Sequence, residues 1–179
     1  MTHLAHYQPK ALATVQPAAL DHFYLVNGIA GEIGELRGHV AKAYWHGPNY
    51  AADLDTVLAK ELGDIAWMTA VLLHTLGQDS VTPWPKDHAP RTQLEALHAL
   101  GHVGDILSSE YTAAVVAGRE DEPNTRISLK AAAQTIWRML EDVSQPICNM
   151  PFGKVLQMNI DKLKSRAERG VLQGNGDNR

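Results

Sequence analysis

The chain of 179 residues is predicted to be an all-α protein folded as an antiparallel helix bundle. Apolar residues recur at helical spacing along most of the chain, and the alternation typical of β-strands is nearly absent. Most prolines lie between the periodic segments, where helices end. Together these patterns predict six helices, over residues 3–14, 20–44, 54–77, 91–117, 125–144 and 151–169.

The ends of the second and third predicted helices carry recognisable signals. The segment 46–49, His-Gly-Pro-Asn, ends the second helix, which is expected to bend at its glycines because each costs a helix about 1 kcal/mol relative to alanine. Asp53 or Asp55 can cap the third helix, and Gly77 closes it.

The later breaks are longer or more charged. Residues 81–92 contain three prolines and form the clearest linker, whereas residues 118–126 are expected to form a charged surface loop. Asn149 or Pro151 opens the last helix. Residues 172–179 are expected to be a disordered tail.

Composition limits the class of protein. A formal net charge of −4 argues against binding duplex nucleic acid. The only cysteine, Cys148, leaves no intrachain disulfide and no thiolate zinc site. Residues 1–20 lack the apolar core of a signal peptide, and the most apolar run, 65–73, is far shorter than the ~20 residues of a membrane span. We therefore expect a cytoplasmic protein with no membrane partner.

Two pairs of acidic residues lie on helices that should be buried. The pairs have helical spacing and are Glu32-x-x-Glu35 and Glu61-x-x-Asp64. Residues three apart project from one face of a helix, so each pair presents two carboxylates side by side. The connection over residues 45–53 is long enough to reverse the chain. The two helices can then pack antiparallel and direct all four carboxylates at one place.

Four converging acids repel each other and resist burial unless a cation neutralises them. Oxygen ligands without cysteine suit Mg²⁺ or Mn²⁺ better than zinc. The flanking glycines Gly31, Gly34 and Gly63 would leave room for a second helix, a metal ion and a polyphosphate. The alternative for either pair alone is an ordinary solvated acidic helix face.

At these residues the chain resembles the MazG-like all-α nucleotide pyrophosphohydrolases. "GEIGEL" and "KELGDIAW" are similar to the ExxE…ExxD signature of that family. "YQPKALAT" (7–14), "KAYWHG" (42–47) and "NIDKLKSR" (159–166) resemble its other blocks in the same order. The departure from the family is residues 80–150, an inserted helical pair within a single domain over residues 1–171.

The resemblance implies hydrolysis of a (deoxy)nucleoside triphosphate between its α and β phosphates. It implies a site for two or more Mg²⁺ ions, or Mn²⁺ in their place, and a homo-oligomer, tetramer or dimer. The metal ligands and catalytic residues are assigned as Glu32, Glu35, Glu61 and Asp64, and Glu35 is also the candidate general base.

Other polar residues are candidates for substrate binding. The phosphate-binding candidates are Lys162, Arg166, Asn159 and Lys42; the alternative for the first two is a solvated basic helix end. The base-binding candidates are Gln8, Asn27, Trp45 and His46, and the alternatives are surface, capping or packed positions. The two amides favour a purine, guanine first, because its edge both donates and accepts hydrogen bonds.

Three further interpretations stay open. A carboxylate-bridged di-iron bundle needs two Glu-x-x-His motifs, and only Glu95-x-x-His98 has that spacing. A non-catalytic helical interaction or regulatory protein could keep the acids by descent. A weak echo at an offset of 70 residues places residues 31–36 over 101–106, either as a degenerate repeat or as a chance pattern of small residues.

Overall fold

The computed structural model describes residues 3–47, 50, 53–84 and 92–170. Within these residues the chain forms six α-helices and a short 3₁₀ helix, with no β-strand, which confirms the all-α prediction. The elements are α1 (His3–Leu12), the 3₁₀ helix (Pro17–Leu20), α2 (His22–His46), α3 (Leu54–Thr75), α4 (Gln93–Val116), α5 (Pro123–Cys148) and α6 (Phe152–Glu168). Among the described helices, none combines the length and apolarity needed to cross a bilayer.

Helices α2 to α5 form a four-helix bundle. Helix α2 packs on α3 and α4, and α5 packs on the same two helices. A ring nitrogen of His22 lies 2.9 Å from Oγ1 of Thr75, so the start of α2 meets the end of α3. Gln93, at the start of α4, donates to the carbonyl of Ile147 near the end of α5. Both hairpins are therefore antiparallel.

Helix α3 is the centre of the molecule. It contacts α1, α2, α5 and α6, and most of its side chains are buried. A helix that is apolar on nearly every side must lie inside the protein. Burying each large aliphatic side chain stabilises the fold by about 1.5–3 kcal/mol. The fully buried ones of α3 are Leu58, Leu62, Ile65, Leu72 and Leu73.

The predicted end of α3 is confirmed, but the predicted cap at its start is not. Gly77 has φ +70°, and its N–H bonds to the carbonyl of His74 while the next N–H reaches Leu73. Glycine adopts this left-handed conformation without a steric penalty. Asp53 occupies the N-cap position but makes no capping hydrogen bond with its side chain, and Asp55 lies in the first turn.

Helix α5 is longer at both ends than the sequence predicted. Only the first part of segment 118–126 is a loop, because Pro123 fits the first turn of a helix and α5 begins there. The helix also continues past Pro146. Asn149 does not open α6; with φ 52° it caps the end of α5, and Pro151 is the N-cap of α6.

Several predicted loop features lie outside the described residues. These are residues 48 and 49 of the first break, residues 85–91 of the proline-rich linker, and the tail 172–179. Helix α2 runs without interruption from His22 to His46 despite its glycines.

The glycines beside the acidic residues have two different environments. A Cβ atom on Gly63 would lie 2.9 Å from Cβ of Asn159, so only glycine lets α6 approach α3 this closely. Cβ atoms on Gly31 and Gly34 would meet no described atom within 4 Å. The close helix approach expected at Gly63 is therefore present, and the other two glycines face open space.

The substitution Gly63→Ala should destabilise the fold by forcing α6 away from α3. Overpacking of this kind costs about 1–3 kcal/mol. The matched control is Gly31→Ala, which meets no described neighbour and should gain up to about 1 kcal/mol from helix propensity. Urea unfolding of the two variants measures the difference. Equal free energies of unfolding would show that the α3–α6 contact is not tight.

Candidate metal centre

Three carboxylates from two helices meet at one place. Glu32 of α2 and the pair Glu61 and Asp64 of α3 each offer an oxygen atom, and these atoms all lie within 4.8 Å of one another. The two acids of α3 are three residues apart and share a helix face. The antiparallel packing of α2 then places Glu32 opposite them. These three carboxylates are called the acidic cluster below.

Burial and repulsion act together on Glu32. Its pKa is raised from 4.5 to about 8, mainly by burial and then by the negative charges of Asp64, Glu61 and Glu35. The positive charge of Lys162 opposes this shift. At neutral pH the acidic cluster therefore holds a proton that a divalent cation could replace.

Helix α6 supplies the polar partners of Asp64. Nδ2 of Asn159 donates to Oδ1 of Asp64 at 2.8 Å, and the ammonium group of Lys162 pairs with the other carboxylate oxygen. The hydroxyl of Tyr7, on α1, donates to Oδ1 of Asn159 at 2.7 Å. Burial, together with the charge of Asp64, raises the pKa of Tyr7 well above its usual value, which keeps this hydroxyl a donor. The chain of hydrogen bonds fixes how Asn159 presents its amide to Asp64.

His39 contacts the acidic cluster from α2. Its Nε2 lies 3.4 Å from Oε1 of Glu61, whose side chain is almost completely buried. Sequence reasoning did not single out His39 or assign a role to Tyr7. The position of His39 could have been predicted, because it lies seven residues after Glu32 and therefore on the same helix face. No local spacing could have paired Tyr7 with Asn159.

The remaining predicted catalytic and phosphate-binding residues are spread around this centre. Glu35 is exposed and lies outside the group of three, although its charge contributes to the raised pKa of Glu32. Arg166 is buried on α6, one turn beyond Lys162. Lys42 is exposed on α2. The structure thus brings Asn159 and Lys162 to the acids directly.

The two amide residues proposed to recognise a base are engaged in protein contacts. Nε2 of Gln8 donates to the carbonyls of Ala70 and Gln78, both at 2.9 Å, and its side chain is buried. These contacts tie α1 to the end of α3 and favour a structural role. Asn27 donates to the carbonyl of Phe23 at 2.8 Å within α2, and Ser108 of α4 lies 3.5 Å from its carbonyl oxygen.

The aromatic candidates lie at the end of α2. Trp45 is 85% exposed, and His46 stacks on Tyr50 with ring centroids 5.4 Å apart. An exposed indole beside a stacked pair offers surfaces on which a planar base can rest.

The donor set fits a hard divalent ion. Three carboxylates with oxygen atoms within 4.8 Å of one another offer only oxygen ligands, which Mg²⁺ and Mn²⁺ prefer. The Glu95-x-x-His98 motif, whose spacing matches that of a di-iron bundle, lies at the start of α4 and contributes to its N-terminal cap. Glu95 accepts from the N–H of Thr92 in a capping box at the start of α4.

The chain matches no protein-family model, no curated protein and no solved structure in comparisons of all three kinds.

Metal-free protein should lose stability as the pH rises from about 4.5 to about 8. In that interval folded Glu32 binds more protons than unfolded Glu32, so the free energy of unfolding falls with pH. A Glu32→Gln variant has no titrating group at position 32, so its free energy of unfolding should depend less steeply on pH. Urea unfolding in EDTA across this interval measures both slopes. Identical slopes would mean that burial and the neighbouring carboxylates do not raise the pKa of Glu32.

Proposed function

We propose that the protein is a Mg²⁺-dependent nucleoside triphosphate pyrophosphohydrolase. It would cleave a (deoxy)nucleoside triphosphate between the α and β phosphates to give the monophosphate and pyrophosphate. The observation that carries the proposal is the acidic cluster, with atoms of Glu32, Glu61 and Asp64 within 4.8 Å and Lys162 paired to one of them. The ExxE and ExxD motifs that supply these acids resemble those of the MazG-like enzymes.

The roles of the side chains follow from their positions. The acidic cluster would hold the ions, and Asn159 would keep Asp64 oriented. Bound Mg²⁺ would neutralise phosphate charge and lower the pKa of nearby water. Lys162, paired with Asp64 in the absence of substrate, would turn its charge toward the departing pyrophosphate, with Arg166 one turn behind.

Glu35 is the proposed general base. It lies one turn after Glu32 but outside the acidic cluster, so its carboxylate is free of that close group and open to solvent. Water would attack the α phosphorus and give its proton to Glu35. The bond from that phosphorus to the α–β bridging oxygen would break, and pyrophosphate would leave with the electron pair.

The surroundings provide room for the substrate. Gly31 and Gly34 leave open space on the exposed side of α2 beside the acids. A base could then rest on Trp45 or on the stacked pair at His46. Guanine is the first base to test. We further propose a cytoplasmic homo-oligomer, a tetramer or a dimer.

A non-catalytic interaction or regulatory protein is the second candidate. Its supporting observation is that Asp64 already has a protein cation and an amide as partners, as a purely structural cluster would. A non-catalytic protein should release no pyrophosphate from any nucleotide. An enzyme should release pyrophosphate, and EDTA should abolish that release.

The substitution Glu35→Gln should lower kcat by about 10²–10⁴-fold, the usual contribution of a general base. Because Glu35 is exposed, the Glu35→Gln variant should keep the fold of the unchanged chain. The control is Glu168→Gln, an exposed glutamate near the end of α6, which should keep full activity. Asp64→Asn should abolish turnover by removing a metal ligand. Pyrophosphate release from common (d)NTPs with Mg²⁺ is the assay. Near-normal turnover of Glu35→Gln would contradict the assignment of the base.

A further inference from the structure

The α4–α5 hairpin repeats the burial pattern of the α2–α3 hairpin. Every buried residue of α2 has a buried counterpart in α4 at an offset of 71 residues (104 minus 33). The same offset relates buried residues of α5, from Leu129 to Ser144, to buried residues of α3. This offset is one residue larger than that of the echo in the sequence.

The two hairpins pack as if related by a two-fold axis. Helix α2 contacts its counterpart α4, and α3 contacts its counterpart α5. A Cβ atom on Gly104 would lie 2.4 Å from Cδ1 of Ile33, which is the residue 71 positions earlier. A residue that touches its own counterpart lies on the axis. The second hairpin therefore has a groove equivalent to the one that holds the acidic cluster.

That second groove has no metal ligands at the equivalent positions. At an offset of 71, Val103 takes the place of Glu32 and Ile106 that of Glu35. Ala132 and Thr135 take the places of the two acids of α3. The repulsion that calls for a cation in the first groove is therefore absent from the second.

A cavity of about 250 Å³ lies between α4 and α5 in this second groove. Ala132 lines it at the position equivalent to Glu61. Glu110 lines it at the position equivalent to His39. The cavity is thus the counterpart of the space next to the acidic cluster.

The lining indicates what the cavity can take. Its floor is apolar, with Leu107, Tyr111 and Leu129 buried. Its rim carries an amide and hydroxyl groups, the carboxylates of Glu110 and Glu122, and the guanidinium of Arg119. Two negative charges against one positive charge disfavour a phosphate. The volume is below the about 300–1,000 Å³ of typical ligand pockets, so a triphosphate is too large.

We propose that the α4–α5 cavity is a second, metal-independent site that binds an uncharged nucleoside or nucleobase. An apolar floor accommodates a flat ring, and a rim of mixed donors and acceptors matches the edge of a base. The choice of a nucleoside over other uncharged heterocycles rests on the proposed function, because the cavity is the counterpart of the proposed nucleotide site.

Equilibrium dialysis of common nucleosides in EDTA tests the site without metal. Ser128 lines the rim and is exposed, so Ser128→Phe should fill the opening and leave the fold intact. We expect this variant to weaken binding by more than about tenfold, equivalent to about 1.4 kcal/mol. The matched control, Ser165→Phe on the exposed face of α6, should bind as the unchanged chain does, and so should Glu32→Gln.

The outcomes separate this proposal from the proposed function. Absence of nucleoside binding in EDTA, or binding that Glu32→Gln removes and Ser128→Phe does not, would overturn the second site. Pyrophosphate release is measured independently on the unchanged chain. If the chain binds nucleosides in EDTA but releases no pyrophosphate from any nucleotide, the second site is supported and the proposed enzymatic function is contradicted.

Discussion

Three carboxylates that repel one another lie close together in a partly buried site, and the surrounding packing must offset that repulsion. Glu32, Glu61 and Asp64 would separate in water, and here the packing of α2 on α3 holds them together. Lys162 neutralises the negative charge of Asp64. Because the pKa of Glu32 is raised to about 8, a proton neutralises its charge at neutral pH. This arrangement costs stability, and it places three carboxylates where together they could hold a divalent cation.

The bundle provides that centre through contacts distant in the chain. Gly63 lets α6 approach α3, which brings Asn159 and Lys162 to Asp64. Tyr7, on the first helix, fixes the amide of Asn159 from the other side. The first and last helices, α1 and α6, therefore surround the acids that α2 and α3 supply. The second hairpin packs on α2 and α3 and contains a cavity between α4 and α5, with no acid at the positions equivalent to the acidic cluster.

Helical periodicity was sufficient to predict the six helices, and the i, i+3 spacing was sufficient to predict that the acids share faces. Contacts that depend on the register between helices were not predictable. Gln8 was a candidate for binding a base, with a surface or capping position as the alternative, and its amide is buried against the end of α3. Glu35 has the same spacing as its partners, yet it is exposed and lies outside the acidic cluster, which the spacing alone does not reveal. The ends of α5 were misjudged because proline and asparagine favour both loops and helix termini.

The position of a bound Mn²⁺ ion would show whether the acidic cluster holds a metal. Crystals soaked in Mn²⁺ can be measured at the manganese absorption edge, where an anomalous difference map locates the metal independently of any model. We expect a peak bounded by the carboxylates of Glu32, Glu61 and Asp64, with Lys162 displaced from Asp64. A map with manganese bound elsewhere on the chain, or with no peak between these carboxylates at saturating Mn²⁺, would contradict that expectation.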